Sequence, residues 1–181
     1  MPKITRAATL HKGQFQRLIK VTLATSRLPA RDVLVLMLGH YCGLRITEIS
    51  RVTVADVMFP SGKLRTEVSL REAVTKGCRQ RCAYIVTKPL IEAMDAYLLF
   101  RLGRRIGTDL GATKYRGLLA HQPLIYSSRG AGLGQNVKRR TLETGEVRLY
   151  RACDSLQSHV TKLYKKAGIA GGSSHSGRQQ S

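Results

Sequence analysis

Apolar residues recur at helical spacing over Thr9–Ala24, where Phe15, Leu18, Ile19 and Leu23 would share one face, so the pattern predicts an amphipathic first helix. Ser26–Pro29 interrupts it with turn-forming residues. From Ala30 the run Val33-Leu34-Val35-Leu36-Met37-Leu38 is apolar on every side, which predicts a second helix buried at the centre of the domain. Gly43 suits that helix's left-handed stop. A short helix is expected from Thr47 as its N-cap, followed by Val52-Thr53-Val54 and Asp56-Val57. Strands are expected over Lys63–Leu70 and Tyr84–Thr87, with Lys76-Gly77 at a turn between extended residues. Thr87 then caps a third long helix striped by Leu90, Met94, Tyr97, Leu98 and Leu102. Gly103–His121 and Ser127–Gly145 read as long basic loops around a short buried segment, Pro123–Tyr126. Leu149–Ala167 reads as a fourth helix carrying Leu149, Leu156, Val160, Leu163 and Ala167 on one side, with Gly168 as its stop.

Helices, then a small antiparallel sheet, then helices: this order predicts an α+β, mainly α fold with a three-stranded sheet, not an alternating parallel one. The 181 residues suit a single domain, and 43% hydrophobic with 23% charged residues is a globular balance. Charge changes the picture. Thirty-one Lys and Arg against eleven Asp and Glu give +20, which calls for a polyanion, and nucleic acid is the first expectation because basic side chains release counterions condensed on phosphates. No long apolar run suggests a membrane span. Met1–Leu10 lacks the apolar core of a secretory signal, so Cys42, Cys78, Cys82 and Cys153 are expected to be reduced thiols in a cytoplasmic setting. Cys78 and Cys82 have no paired Cys or His nearby, so neither zinc nor any other metal is expected.

Three short segments carry candidate chemistry. Gly43-Leu44-Arg45-Ile46-Thr47-Glu48-Ile49 sets an arginine just past the buried helix and an acid three residues on. Thr75-Lys76-Gly77-Cys78-Arg79-Gln80-Arg81 is a basic turn between strands, and Ser173-Ser174-His175-Ser176-Gly177-Arg178 is an H-x-x-R after a helix and a Gly-rich turn. Taken singly, these are an ordinary surface arginine, a solvated hairpin tip and a weak motif. Their order changes the reading.

In that order the three resemble the catalytic pattern of the tyrosine recombinases, the phage integrase family. "GLRITEIS" is similar to that family's first arginine box, "TKGCRQR" to its hairpin lysine, and "SSHSGR" to its H-x-x-R box, over roughly Thr9 to Arg178. The resemblance implies the family's catalytic-domain fold and a reaction in which a tyrosine attacks a DNA phosphodiester, forms a 3′-phosphotyrosyl intermediate and frees a 5′-hydroxyl. Arg45 and Arg178 would clamp the equatorial oxygens of the transition state, as planar guanidiniums do well. Lys76 would protonate the departing 5′-oxygen, His175 would bond the phosphate or assist proton transfer, and Glu48 would orient its neighbours in support. Arg79, Arg81, Lys138, Arg139 and Arg140 are further candidates for DNA contact. No cofactor is implied.

Two departures accompany the resemblance. The family's nucleophile lies beyond H-x-x-R, whereas the seven tyrosines here (41, 84, 97, 115, 126, 150 and 164) all precede it, and Gln179-Gln180-Ser181 replaces the usual continuation. Residues 1–181 are therefore expected to form one DNA breaking–rejoining domain, with the family's N-terminal core-binding domain and C-terminal tyrosine segment absent. Such a chain is a recombinase fragment without its nucleophile, inactive alone, or a non-catalytic DNA-binding regulator derived from a truncated recombinase. A basic RNA-binding protein would fit the charge but leaves the Arg45, Lys76, His175 and Arg178 set unexplained. The expected partner is double-stranded DNA, with self-association on it in the full-length protein and no membrane. The expected setting is a bacterial cytoplasm at the nucleoid, or a mobile genetic element such as a phage or plasmid.

Overall fold

The computed structural model describes residues 10–70 and 81–170. Helix α1 (Lys12–Thr25) buries Phe15, Leu18 and Thr22, a narrow stripe at spacings of three and four. Leu23 falls outside that stripe and faces solvent, because α1's two partner helices accept only one side of it. Pro29 does not end a helix but opens one. It occupies the first turn of α2 (Pro29–Tyr41), where its missing N–H leaves no acceptor unpaired. Every residue from Arg31 to Leu38 in α2 is buried, as the apolar run predicts, and α2 packs against α1 on one side and α5 (Lys88–Gly103) on another. His40 lies stacked on Phe15 at 3.8 Å between ring centres.

After α2 the backbone turns at Gly43, whose φ of +62° is the left-handed conformation that glycine tolerates. Two short helices follow, α3 (Ile46–Arg51) and α4 (Val54–Val57). Asp56 accepts the Thr53 backbone N–H at 2.9 Å, so a carboxylate closes the start of α4. Strands β1 (Glu67–Leu70) and β2 (Arg81–Tyr84) pair antiparallel, Leu70 opposite Arg81 and Glu67 opposite Tyr84. The second strand thus runs earlier than Tyr84–Thr87, and Thr87 is the N-cap residue of α5. Along α5 the residues Leu90, Met94, Tyr97 and Leu98 are buried as expected, with Leu102 at the margin.

The largest departure from the sequence reading lies at 127–152. Instead of a loop leading into a long helix, β3 (Asn136–Thr141) and β4 (Val147–Ala152) form an antiparallel hairpin, and only then does α6 (Asp154–Lys166) begin. Leu149 belongs to β4 and is exposed, so the helical stripe starts at Leu156. The apolar spacing of 149 and 156 fits a helix arithmetically, but the Thr144-Gly145 turn signal decides. Gly145 is left-handed (φ +80°), and the Leu142 N–H donates to the Glu146 carbonyl at 2.8 Å to close a three-residue loop. Among the described residues the sheet structure is two separate two-stranded ribbons, not one three-stranded sheet.

Buried charge ties these layers together. Asp32, on α2, is 1% exposed and accepts hydrogen bonds from Arg31 Nε (2.9 Å) and Nη2 (2.8 Å), Ser26 Oγ (2.5 Å) and, across the core on α6, His159 Nε2 (2.8 Å). His159, whose side chain keeps 37% of its surface exposed, thus caps this network from the α6 side. Arg31 also donates to the Tyr126 carbonyl at 3.2 Å. On α5, Arg101 is wholly buried and donates to the carbonyls of Ile106, Pro123 and Leu124, which fixes the apolar 123–126 segment against the helices.

Burial opposes ionisation of Asp32, yet the bonds from His159, Ser26 and Arg31 outweigh it and hold the carboxyl below its ordinary 3.8. A depressed carboxyl contributes stability that is fully present above the ordinary value and disappears as pH falls through the folded one. Asp32→Ala should cost about 3–5 kcal/mol in urea unfolding at neutral pH, since it strands a buried guanidinium. The wild-type advantage over Asp32→Asn should be constant from neutrality down to roughly pH 4 and shrink on further acidification. An advantage that instead grew in acid would show that Asp32 is buried uncharged.

Candidate functional site

The first arginine box acquires its geometry from one reverse turn and one helix start. Gly43 turns the chain out of α2, Leu44 anchors it in the core, and Arg45, not Thr47, is the N-cap residue of α3. Glu48, three residues on, returns its Oε2 to the Arg45 backbone N–H at 2.7 Å. The Arg-x-x-Glu spacing is therefore the spacing of a helix's first turn, where a carboxylate meets the free N–H groups and the positive end of the helix. Ile46 and Ile49 take the inward positions between.

Glu48 itself is fully buried, and what neutralises it is chiefly Arg81 from β2. Arg81 Nε donates to Glu48 Oε1 at 3.1 Å, Nη2 binds Oε2 in a short contact, and Nη2 also reaches the Gly43 carbonyl at 3.1 Å. This two-point pairing matches fork to carboxylate. Arg45 holds the same carboxylate loosely, with Nη1 3.8 Å from Oε1, and its side chain is 40% exposed. Two guanidiniums thus share one negative charge. Both side chains are partly exposed (40% for Arg45, 37% for Arg81), and the surplus cation is Arg45, the more loosely held of the two.

Arg45 lines an open pocket of about 270 Å³ together with Ile46, Thr47, Lys138, Tyr150, Arg151, Ala152, Cys153, Asp154 and Gln157. The pocket lies where the start of α3, strand β4 and the start of α6 meet. Lys138 reaches Asp154 at 2.5 Å, and that bond holds the Asp154 carboxyl below its ordinary value and raises the lysine in return. Asn136 donates to the other Asp154 oxygen at 2.9 Å. Arg139 and Arg140 extend outward on β3, in strand and not in the loop expected for them.

Arg45, Glu48 and Arg81 therefore form one cluster and Lys138 joins Arg45 at the same pocket. Lys76, Arg79, His175 and Arg178 lie outside the described residues. The chain that carries Lys76 and Arg79 joins Leu70 to Arg81, so it enters β2 at the residue bound to Glu48. Sequence reasoning placed Arg81 on DNA and overlooked its tie to Glu48, because a partner 33 residues away leaves no local mark. It also overlooked Thr47, Tyr150, Arg151 and Gln157 of the pocket. Of the tyrosines, Tyr164 is packed in the core, where burial pushes its hydroxyl up to about 12. Cys42, Cys82 and Cys153 are free thiols, and among the described residues no cluster of three metal-ligating groups occurs. No helix among them is long and apolar enough to cross a membrane.

This fold is one found in site-specific recombinases. The chain is similar to XerA recombinase (TM-score 0.60, 17% identity, over 98% of this chain and 48% of the other). It is also similar to XerH site-specific recombinase, solved bound to a palindromic difH substrate as a post-cleavage complex (TM-score 0.57, 13% identity, over 96% of this chain and 40% of the other). The chain spans less than half the length of either, and at such identities the likeness is one of fold. No protein-family model and no curated protein matches the sequence.

Arg81→Ala should cost about 2 kcal/mol in urea unfolding, because it removes charge-assisted bonds from a buried carboxylate. Arg45→Ala should cost under about 1 kcal/mol, since its contact is long and exposed and the backbone bond survives. Equal losses from the two would contradict the division of labour described.

Proposed function

We propose that the chain is the DNA breaking–rejoining domain of a tyrosine site-specific recombinase. The observation that carries the reading is Arg45: it is the loosely held, partly exposed guanidinium beside a buried Glu48 that Arg81 already pairs, and it lines a basic pocket in a fold that site-specific recombinases share. Duplex DNA is the substrate, and Arg45 engages the scissile phosphate. A guanidinium braced from below by a carboxylate and left free on its outer edge suits two phosphate oxygens. Arg178 completes the clamp, Lys76 protonates the 5′-oxygen leaving group, and His175 bonds the phosphate. Glu48 does not touch DNA; it positions Arg45 through the α3 N-terminus and holds Arg81.

The nucleophile of this chemistry is a tyrosine beyond the H-x-x-R box. All seven tyrosines of the sequence precede His175, so residues 1–181 by themselves bind without forming the 3′-phosphotyrosyl bond. The alternative is a DNA-binding regulator built on a recombinase domain. Covalent attachment to DNA when a tyrosine-bearing segment is supplied in trans separates the two. Either way the protein acts on a bacterial, phage or plasmid genome, and full-length copies assemble on the DNA.

The chain should bind duplex DNA with affinity falling roughly 10³-fold or more between 50 and 200 mM salt, as for a protein neutralising several phosphates. Arg45→Ala should lower that affinity about tenfold, equivalent to about 1.4 kcal/mol, with little change in stability. A nicked suicide substrate analysed on a denaturing gel should show no covalent protein–DNA band from these residues alone. Such a band would overturn the placement of the tyrosine, and absence of duplex binding at low salt would overturn the recombinase reading.

A further inference from the structure

The β3–β4 hairpin carries the DNA-contact candidates Lys138, Arg139 and Arg140 and lies outside the candidate catalytic set. Its register separates two faces. On one, Val137 lies opposite Arg151, Arg139 opposite Leu149, and Thr141 opposite Val147; on the other, Asn136 lies opposite Ala152, Lys138 opposite Tyr150, and Arg140 opposite Arg148. All six residues of the first face are exposed, Val137 by 63% and Leu149 by 70%. The second face turns Lys138 and Tyr150 toward the Arg45 pocket.

A two-stranded ribbon with one bare face is marginal in water, and large apolar side chains there want a partner. Charge says which kind. Arg148 is held by Glu146 at 3.2 Å and Lys138 by Asp154, but among the described residues no ion pair holds Arg139, Arg140 or Arg151. Arg140 also sits directly opposite Arg148, a like-charge pair that weakens an isolated ribbon and that a polyanion relieves. Asp154 pins the base of the hairpin to α6 through Asn136 and Lys138, so the ribbon projects from a fixed root. Arg151, at the base of the bare face, lines the Arg45 pocket as well. The surface is therefore continuous from the proposed phosphate site to the hairpin.

We infer that the bare face of β3–β4 enters the major groove of the DNA whose phosphate sits at Arg45 and distinguishes its base sequence. The inference rests on the duplex-binding reading above and goes beyond it, since it assigns sequence specificity to a named element. The major groove of B-DNA, about 12 Å wide, admits a two-stranded ribbon. The face holds the two side-chain types that base edges reward: Arg139 and Arg151 match the O6 and N7 acceptors of guanine, and Val137 and Leu149 match the methyl group of thymine. From 137 to 141 the strand advances about 13 Å, the rise of roughly four base pairs. Arg140, on the opposite face, meets phosphate and is indifferent to sequence.

The test is selection of duplexes from a randomised library with the 181-residue chain, followed by affinity measurements on the enriched sequence. The wild type should enrich a motif of about four base pairs containing guanine and thymine. Arg139→Ala and Leu149→Ser should relax the motif at separate positions, and replacing its guanines with 7-deazaguanine, which removes only the major-groove N7, should weaken wild-type binding about tenfold. Arg140→Ala should lower affinity evenly for enriched and unrelated duplexes. Because all these side chains are exposed, the variants should keep the wild-type urea midpoint, so a binding change is not a folding change. Binding that shows no motif, or a motif untouched by Arg139→Ala and by 7-deazaguanine, overturns the inference and leaves the recombinase reading standing. A DNA-free dimer of the chain that Leu149→Ser converts to monomer also overturns it, by giving the face to a second copy. Loss of all duplex binding by the wild type removes the reading beneath it.

Discussion

A carboxylate with no access to water must be neutralised where it lies, and Glu48 imposes that condition on everything around it. Its oxygens need the N-terminus of α3 on one side and a guanidinium on the other. The chain must therefore turn at Gly43 so that α3 starts against the end of α2, and β2 must deliver Arg81 to the same point. One buried charge thus fixes the relative positions of the central helix, the short helix and the first ribbon. Arg45 is left over by this arrangement: braced, partly exposed and positively charged. A partly exposed cation is what remains when the inner charge has been satisfied.

The same economy governs the rest of an interior unusually rich in cations. Arg31 is balanced by Asp32, which also draws Ser26 and His159 to itself and so links the two ends of the fold across the core. Among the described residues Arg101 has no carboxylate partner. Its Nε and Nη1 donate to backbone carbonyls and its guanidinium lies 4.5 Å from the Tyr126 ring, while burial lowers its affinity for its proton. With only two arginines buried among the described residues, Arg31 and Arg101, the large positive excess falls on the surface, and the β3–β4 hairpin concentrates part of it beside the pocket. That placement links electrostatics to function: a polyanion seated at Arg45 meets further cations along one continuous surface.

Much of this was legible in the sequence. The apolar run at 33–38 announces a helix that is central because no side of it can face water, and α2 is that helix. Gly43, Thr87 as the residue before α5, and the stripe from Leu90 to Leu98 are local signals with local causes, and the structure follows them. Arg45 and Glu48 were legible as a pair only through the likeness of their segment to an arginine box; that they span a helix's first turn emerged with Arg45 as the N-cap. The +20 charge set the class of partner independently of any fold.

What the sequence could not decide was every matter settled between distant residues. Residues 136–152 carry both helical and alternating spacings, and the balance went to a hairpin through the Gly145 turn and the anchorage of its base on Asp154. Among the described residues the strands form two separate ribbons, the second of them in a stretch whose sequence reads as loop and helix. Arg81 pairs with Glu48 and His159 with Asp32 across separations of 33 and 127 residues, where no periodicity operates. Local spacing determined the helices, the arginine box and the demand for a polyanion. Tertiary packing alone chose which charges were used up inside and which were left to meet a phosphate, because only the closed core determines which groups lose their water.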